Sequence, residues 1–559
     1  MSTNPLSSLW NFFQDRNLIL GSARGQIVIL MLLPLFCAEA SSVEDGNMPT
    51  AQEAPPPSTP GLQDDGNNIE GESLETILSH IRTAIGYENV AEKTAPVKLQ
   101  SLIRDAAGKE TQVETIFSSN GCFFQRFTGA LNRLAGFDGT TPWSVEKGCG
   151  MELTLAGRET TLVGVWLRTG YWLHPAAPLQ IQREPDEDEE GMKCLSLMLR
   201  GGLIKWRMQV DEDAWLPATI QFSMIGRETM IGFHDYHDHS GWKVPDRVTN
   251  FSYGRMTTES FTKSFTDAVD FDRSLFVPQL GLPEDTRFDA SLPAKLEAKV
   301  LRGHGAMMIH PLINGKDVGW FLFDTGAAGW TLSLKAAEAA GLEELRDSPT
   351  TSVAGRLIES SLCLAREVRI GPAVFENQIM RAAASAGIGD ECIGLIGYGL
   401  LARCVVEYDD LASTISIYDP RKYSNEGLPW QDMVPGQIVP TIEASFEEHT
   451  ELFRIDTGAS SELVLNTPCV ERLGLLQDRE TFSIEASGMD GLFTMQRGTI
   501  DWIEFGGKRF RSVTTDFSKR TAGVLADPYT AGIIGHGLLK SFKLVIDYPN
   551  SRIAFVPSS

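Results

Sequence analysis

An internal repeat constrains this chain more than any other feature. The tripeptide Asp-Thr-Gly occurs twice, each time behind a short apolar run: Phe321-Leu322-Phe323-Asp324-Thr325-Gly326 and Phe453-Arg454-Ile455-Asp456-Thr457-Gly458. A strand leads toward each, Met307-Met308-Ile309-His310-Pro311-Leu312 in copy one and Ile438-Val439-Pro440-Thr441-Ile442 in copy two. In copy one Asn314-Gly315 is a strong two-residue hairpin signal, and Glu447-Glu448-His449 takes its place in copy two. After each Asp-Thr-Gly comes a strand, then a short helix ending in Ala340-Gly341-Leu342 or Leu473-Gly474-Leu475. A glycine-bearing β-hairpin is expected next, around Gly355 and around Gly488-Met489-Asp490-Gly491. Each copy closes on two apolar residues and a glycine, Leu395-Ile396-Gly397 and Ile533-Ile534-Gly535, followed by two final strands. A lone Asp-Thr-Gly is most simply a turn, because Asp and Gly favour turns. Two matched copies of the whole pattern predict two equivalent units that bring one aspartate each to a shared place.

The chain has 559 residues, enough for about three or four domains of ~150 residues. An apolar fraction of 42% supplies sizeable cores. The net charge of −24 argues against nucleic acid as a partner, since phosphate binding needs clustered Lys and Arg. Near the N-terminus Arg24 precedes an apolar run over 27–35, too short to span a bilayer comfortably, and Ala38-Glu39-Ala40 follows as a small-x-small cleavage pattern. A signal peptide over 1–40 is expected, hence export to a periplasm or medium, with an uncleaved membrane anchor as the alternative. Residues 41–72, centred on Ala54-Pro55-Pro56-Pro57-Ser58-Thr59-Pro60, have the composition of a disordered linker. Beyond Cys37 the cysteines are 122, 149, 194, 363, 392, 404 and 469, without zinc spacing. Cys122–Cys149 or Cys363–Cys392 are possible pairs in an oxidising compartment; buried thiols acting as small apolar residues are the alternative.

Residues 73–278 are expected to form one antiparallel sheet with a helix on it. Leu74, Ile77, Ile81 and Ile85 recur at helical spacing. Short strands are expected over 151–155, 161–167, 203–210, 218–224 and 249–253. Glu184-Pro185-Asp186-Glu187-Asp188-Glu189-Glu190 reads as a solvated loop. His234-Asp235-Tyr236-His237-Asp238-His239 has the look of a metal cluster, yet on a strand His237 and His239 share a face while His234 points to the other, so a polar hairpin end is expected instead. A linker is expected over 279–298, which contains Pro283 and Pro293.

Gly136-Phe137-Asp138-Gly139 with Trp143, Trp206-x-x-x-Val210-Asp211 with Leu216-Pro217, Phe233-x-x-Tyr236 and Val244-Pro245 resemble the LolA/LolB-like lipoprotein-carrier superfamily. That resemblance is diffuse. It implies a curved sheet whose apolar concave face holds a lipid, a lipoprotein or an extended peptide; a filled core is the alternative. The duplicated pattern over 299–559 resembles the retropepsin-like aspartic proteases, in particular bacterial single-chain forms with two tandem units. The fold class implied is mainly β: two tandem retropepsin-like β-barrel lobes, 299–424 and 425–559, preceded by an α+β antiparallel-sheet domain.

By that resemblance Asp324 and Asp456 form the catalytic dyad, with no cofactor or metal. Thr325 and Thr457 interlock the loops, Gly326 and Gly458 allow close backbone approach, and the hairpins at Gly355 and at Gly488, Met489, Asp490 and Gly491 are flaps over a peptide or protein substrate. The implied molecule is a monomer with an intrachain pseudo-dimer. Two carboxyls a few ångströms apart share one proton and titrate as a pair, so one member acts as base toward water while the other donates to a peptide carbonyl. Copy one departs from the pattern at Ala328, where a hydroxyl is usual, and at Glu407, which stands where copy two has Asp547. Its hairpin, Val353-Ala354-Gly355-Arg356, is also poor in glycine. Besides an exported aspartic endopeptidase, the residues leave open a peptide-binding protein that no longer cleaves, and a lipid or lipoprotein carrier acting through 73–278.

Overall fold

A computed structural model of the chain describes residues 72–558, apart from 92, 94, 107, 130, 131, 147, 148, 186–191, 253, 269, 348, 349, 352–356, 385–390, 489 and 490. The expected signal peptide, all of the 41–72 tether but Glu72, and most of the acidic loop lie outside these residues. No helix among the described residues is long and apolar enough to cross a membrane.

Ser73 caps the first helix, Leu74–Ile85, by accepting the Thr76 N–H at 3.2 Å, and Gly86 ends it in the left-handed region at φ 72. Its Ile77, Leu78, Ile81 and Ile85 are buried, so the 3.6 period read from the sequence is the face that packs. Residues 97–267 build one 13-stranded antiparallel sheet. Two meanders meet in it where its first strand, Val97–Asp105, pairs with its last, Arg255–Asp267. A second helix, Leu155–Thr169, shares one apolar core with the first helix and the sheet through Leu162, Val163, Val165 and Trp166.

That second helix corrects the strand expected over 161–167. Thr161, Val163 and Val165 alternate as a strand would, but Leu162, Trp166 and Thr169 fall on one helical face. The hydroxyls of Thr160, Thr161 and Thr169 donate back to the carbonyls of Ala156, Gly157 and Val165 at 2.8, 2.7 and 3.0 Å, which lets β-branched residues sit in a helix without stray polar groups.

The stretch 279–298 is also corrected. It is not a free linker: Thr286–Phe288 pairs with Ala373–Ala383, and Lys295–Glu297 pairs with Thr414–Tyr418. Asp285 anchors it through a bidentate contact with Arg403, 2.8 Å to Nε and 2.7 Å to Nη2. Prolines suggested a break in structure, but each is compatible with an edge.

Each copy of the repeat forms a set of short strands with the same order of events. The Asn314-Gly315 turn joins Leu312–Ile313 to Lys316–Asp317 with φ 52 and 74, as a type I′ hairpin requires. In both copies the strand entering Asp-Thr-Gly pairs in parallel with the closing apolar segment, Phe321–Phe323 with Gly394–Ile396 and His449–Asp456 with Gly532–Gly535. The lobes are joined by a six-stranded sheet at whose centre Val405–Asp409 from copy one pairs with Phe542–Asp547 from copy two. One apolar core runs through both, including Phe321, Phe323, Tyr408, Phe453, Ile534 and Phe542.

Cys122, Cys363 and Cys392 are buried and carry free thiols, so neither disulfide that the spacing allowed is formed. The Cys392 thiol donates to the Gly394 carbonyl at 3.2 Å.

Candidate active site

The two Asp-Thr-Gly loops meet head to head. The Thr325 hydroxyl donates to the Ile455 carbonyl at 2.6 Å and accepts the Thr457 N–H at 3.0 Å. The Thr457 hydroxyl does the reciprocal, to the Phe323 carbonyl at 2.9 Å and from the Thr325 N–H at 3.1 Å. Both threonines are fully buried, so four backbone groups that water cannot reach are satisfied by two hydroxyls. Only an oxygen that both donates and accepts can do this, which is why Thr rather than Val stands there.

Asp324 and Asp456 face one another between these loops, each carboxyl lying against the glycine of the opposite loop. The glycines make the approach possible: a Cβ on Gly326 would lie 2.4 Å from Asp456 Oδ2, and one on Gly458 would lie 2.4 Å from Asp324 Cγ. Each carboxylate is fixed by its own loop. The Gly326 N–H donates to Asp324 Oδ1 at 2.8 Å, and the N–H groups of Gly458 and Ala459 donate to Asp456 Oδ1 at 2.8 and 3.0 Å.

The closing segments hold the loops from behind. The Asp324 N–H donates to the Ile396 carbonyl at 2.9 Å, and the Gly535 N–H to the Glu462 carbonyl at 3.0 Å. A Cβ on Gly397 would fall 2.2 Å from the Ala327 carbonyl, so the apolar-apolar-Gly pattern marks a place with no room for a side chain. Ala328 and Ser460 are both exposed, and with no hydroxyl at Ala328 the Gly326 N–H still donates to Asp324 Oδ1. Glu407 accepts from Tyr423 at 3.1 Å and pairs with Lys543 of copy two at 2.8 Å, so the longer acid reaches across the lobe junction.

Electrostatics separate the two carboxyls. Burial pushes Asp324 up, and the neighbouring Asp456 charge and hydrogen bond push it further, well above the ordinary carboxyl range. Burial also raises Asp456, but the hydrogen bond from Asp324 and the two loop N–H groups pull it back. The two carboxyls therefore titrate as a pair that holds one proton above the ordinary carboxyl range.

Hairpin strands occur where flaps were expected. Phe482–Gly488 pairs with Gly491–Phe505, ending at Gly488 opposite Gly491; Met489 and Asp490 lie outside the described residues. In copy one Thr350–Thr351 pairs with Leu357–Ile358, and Gly355 lies outside the described residues. The sequence did not single out the apolar patch beneath the second hairpin, where Val464, Met495, Leu525 and Ile533 are buried against Ile484 and Phe493. Its residues are scattered over five segments, and only folding gathers them.

The histidine run gathers no metal set: among the described residues no group of three His, Cys, Asp or Glu is placed to hold an ion. His237 and His239 share a face, as strand geometry requires, and both meet Asp246, at 2.7 and 3.1 Å, while His234 meets Thr249 at 2.9 Å.

Residues 309–400 and 442–537, one segment around each Asp-Thr-Gly, match the family model described as Aspartyl protease. This supports a protease-like function for the region. The N-terminal part is similar to a solved LolA superfamily protein from Nitrosomonas europaea, at 13% identity over 37% of this chain and 98% of that one, with a TM-score of 0.29. It is also similar to a DUF1329 family protein from Desulfovibrio piger, at 10% identity over 36% and 96%, with a TM-score of 0.26. Comparison with curated protein sequences finds no match.

Proposed function

We propose that this protein is an exported aspartic endopeptidase whose Asp324 and Asp456, one from each lobe of a single chain, activate water for attack on a peptide bond. The observation that carries the reading is the placement of the two carboxyls, each against the glycine of the opposite loop, inside the reciprocal Thr325–Thr457 clasp. In this reading the ionised Asp456 takes a proton from water as the water oxygen bonds to the carbonyl carbon. Asp324 gives its proton to the carbonyl oxygen as charge builds there. The tetrahedral diol then collapses: the proton on Asp456 passes to the departing nitrogen, the C–N bond breaks, and Asp324 recovers a proton from the diol. The dyad ends as it began, with one proton.

Phe482 and Leu492, exposed on the second hairpin, support a substrate that presents apolar side chains to that hairpin. Export rests on the apolar run and the small-x-small pattern of the N-terminus. The test is cleavage of an unfolded protein at acid pH by the full chain. Asp324→Asn and Asp456→Asn, made singly, should each abolish it, and full activity in either would remove the shared dyad.

A further inference from the structure

The sheet of residues 97–267 encloses a cavity of about 140 Å³ behind the helix Leu155–Thr169. Its walls are mostly apolar, with Trp206, Phe222, Ile231 and Val248 from the sheet. Arg133, Arg168 and Arg227 also line it, and no Asp or Glu does, in a chain whose net charge is −24. Arg168 donates to Ser260 Oγ at 3.3 Å, and among the described residues no carboxylate pairs with it. Burial pulls its guanidinium below its ordinary value. A guanidinium on a mostly apolar cavity wall, hydrogen-bonded to a neutral hydroxyl, favours an anion beside it. The volume suits one short alkyl chain or ring rather than a many-chained lipid.

The same helix reaches the second lobe. Thr160, Thr161, Gly164 and Arg168 face the cavity, while Glu159 beside them is buried and accepts the Leu203 and Ile204 N–H groups at 2.8 and 3.0 Å. Tyr529 of the second lobe donates its hydroxyl to Glu159. A second contact stands close by, where the Gly523 N–H donates to the Ile225 carbonyl at 2.9 Å. Residues 518–531 therefore touch the N-terminal sheet on one side. On the other, Val524 and Leu525 pack under the hairpin at Gly488. Asp527 of this loop pairs with Arg454 at 2.7 Å, two residues before Asp456.

We propose that the cavity is an effector site: a short anionic amphiphile, its head on Arg168 and its tail among Trp206, Phe222 and Ile231, changes substrate handling through Glu159, Tyr529 and the 518–531 loop. The coupling, though not the binding, rests on the second lobe receiving peptide, as in the protease reading. Tyr529 is a positioning residue that touches no substrate. Such coupling is reciprocal, so peptide must change amphiphile affinity by the same factor that amphiphile changes peptide affinity.

The test uses the full chain and calorimetry. Octanoate and octyl phosphate are compared with octanol and octyltrimethylammonium, and either anion supports the inference, the tighter one identifying the head as carboxylate or phosphate. The anions are expected to bind at least ~10-fold tighter than the controls, and Arg168→Gln to erase the difference. Peptide affinity is then read in the Asp456→Asn chain: the anion should shift it ~5-fold or more, and Tyr529→Phe should reduce the shift below ~2-fold while amphiphile still binds. Equal binding of octanol, or anion binding that leaves peptide affinity unmoved, overturns the inference. If the anion shifts peptide affinity in a parent chain that cleaves nothing, the inference stands and the protease reading falls. If the parent cleaves and the anion shifts nothing, the reverse holds.

Discussion

At the scale of the residue, the site depends on the inequality of two like groups. Asp324 is raised well above its ordinary value by burial and by Asp456, so its folded form keeps a proton that the unfolded chain releases. Stability then falls as pH rises from the ordinary carboxyl range through Asp324's folded value. Asp324→Asn is neutral throughout and should lose that slope. Denaturant midpoints across pH should show the variant more stable than the parent at neutral pH, and equal slopes would contradict the assignment. Activity should decline over the same rise, as Asp324 loses the proton it donates. Thr457→Val would strand the Phe323 carbonyl and the Thr325 N–H, at about 1–3 kcal/mol for each group, measurable by equilibrium unfolding. The meeting of the two Asp-Thr-Gly loops, the threonine clasp and the close approach at the two glycines were expected from the duplicated motif and its resemblance to a known family, and the geometry has them in those places. The inequality of the two carboxyls was not legible, since it comes from burial and from the way each carboxyl meets the other, which only the fold sets.

At the scale of the element, the sequence was legible where local rules act alone. The Ser73-capped helix, the Asn314-Gly315 hairpin and the glycines ending the short helices obey capping and turn chemistry. It misled where tertiary contacts decide. The helix Leu155–Thr169 carries a strand-like Thr and Val alternation, and burial of one helical face against the sheet overrides it. The supposed linker fails for a related reason: its strands are short edge pieces whose partners lie far along the chain. Asp285 shows how firmly that segment is held. Burial alone would raise it, but the Arg403 guanidinium outweighs burial and keeps it below its ordinary value. The pair thus contributes stability above the ordinary carboxyl range, which is lost as pH falls through the lowered value. Arg403 is 6% and Asp285 16% exposed, so Arg403→Met leaves a nearly buried charge unpaired and should cost about 3–5 kcal/mol in chemical denaturation. A wild-type-like midpoint would show the segment to be the loose tether its prolines suggested.

At the scale of the whole molecule, the repeat makes one site out of two halves. A six-stranded sheet shared by both lobes and a continuous core fix the distance between the Asp-Thr-Gly loops, so a single chain should suffice. Light scattering under assay conditions should give the mass of one chain with activity independent of concentration; activity that falls on dilution with a dimer's mass would contradict it. The N-terminal sheet is docked as well as tethered, with Thr154 donating to the Pro435 carbonyl at 2.6 Å and Tyr529 meeting Glu159. No sequence pattern announced that docking, because each contact joins residues hundreds of positions apart. The most direct measurement of the central claim is acid-pH cleavage of an unfolded protein by the full chain beside Asp324→Asn and Asp456→Asn. The account predicts that the parent cleaves and each variant falls to background with its fold intact by circular dichroism. Full cleavage by either variant would contradict a dyad shared between the lobes.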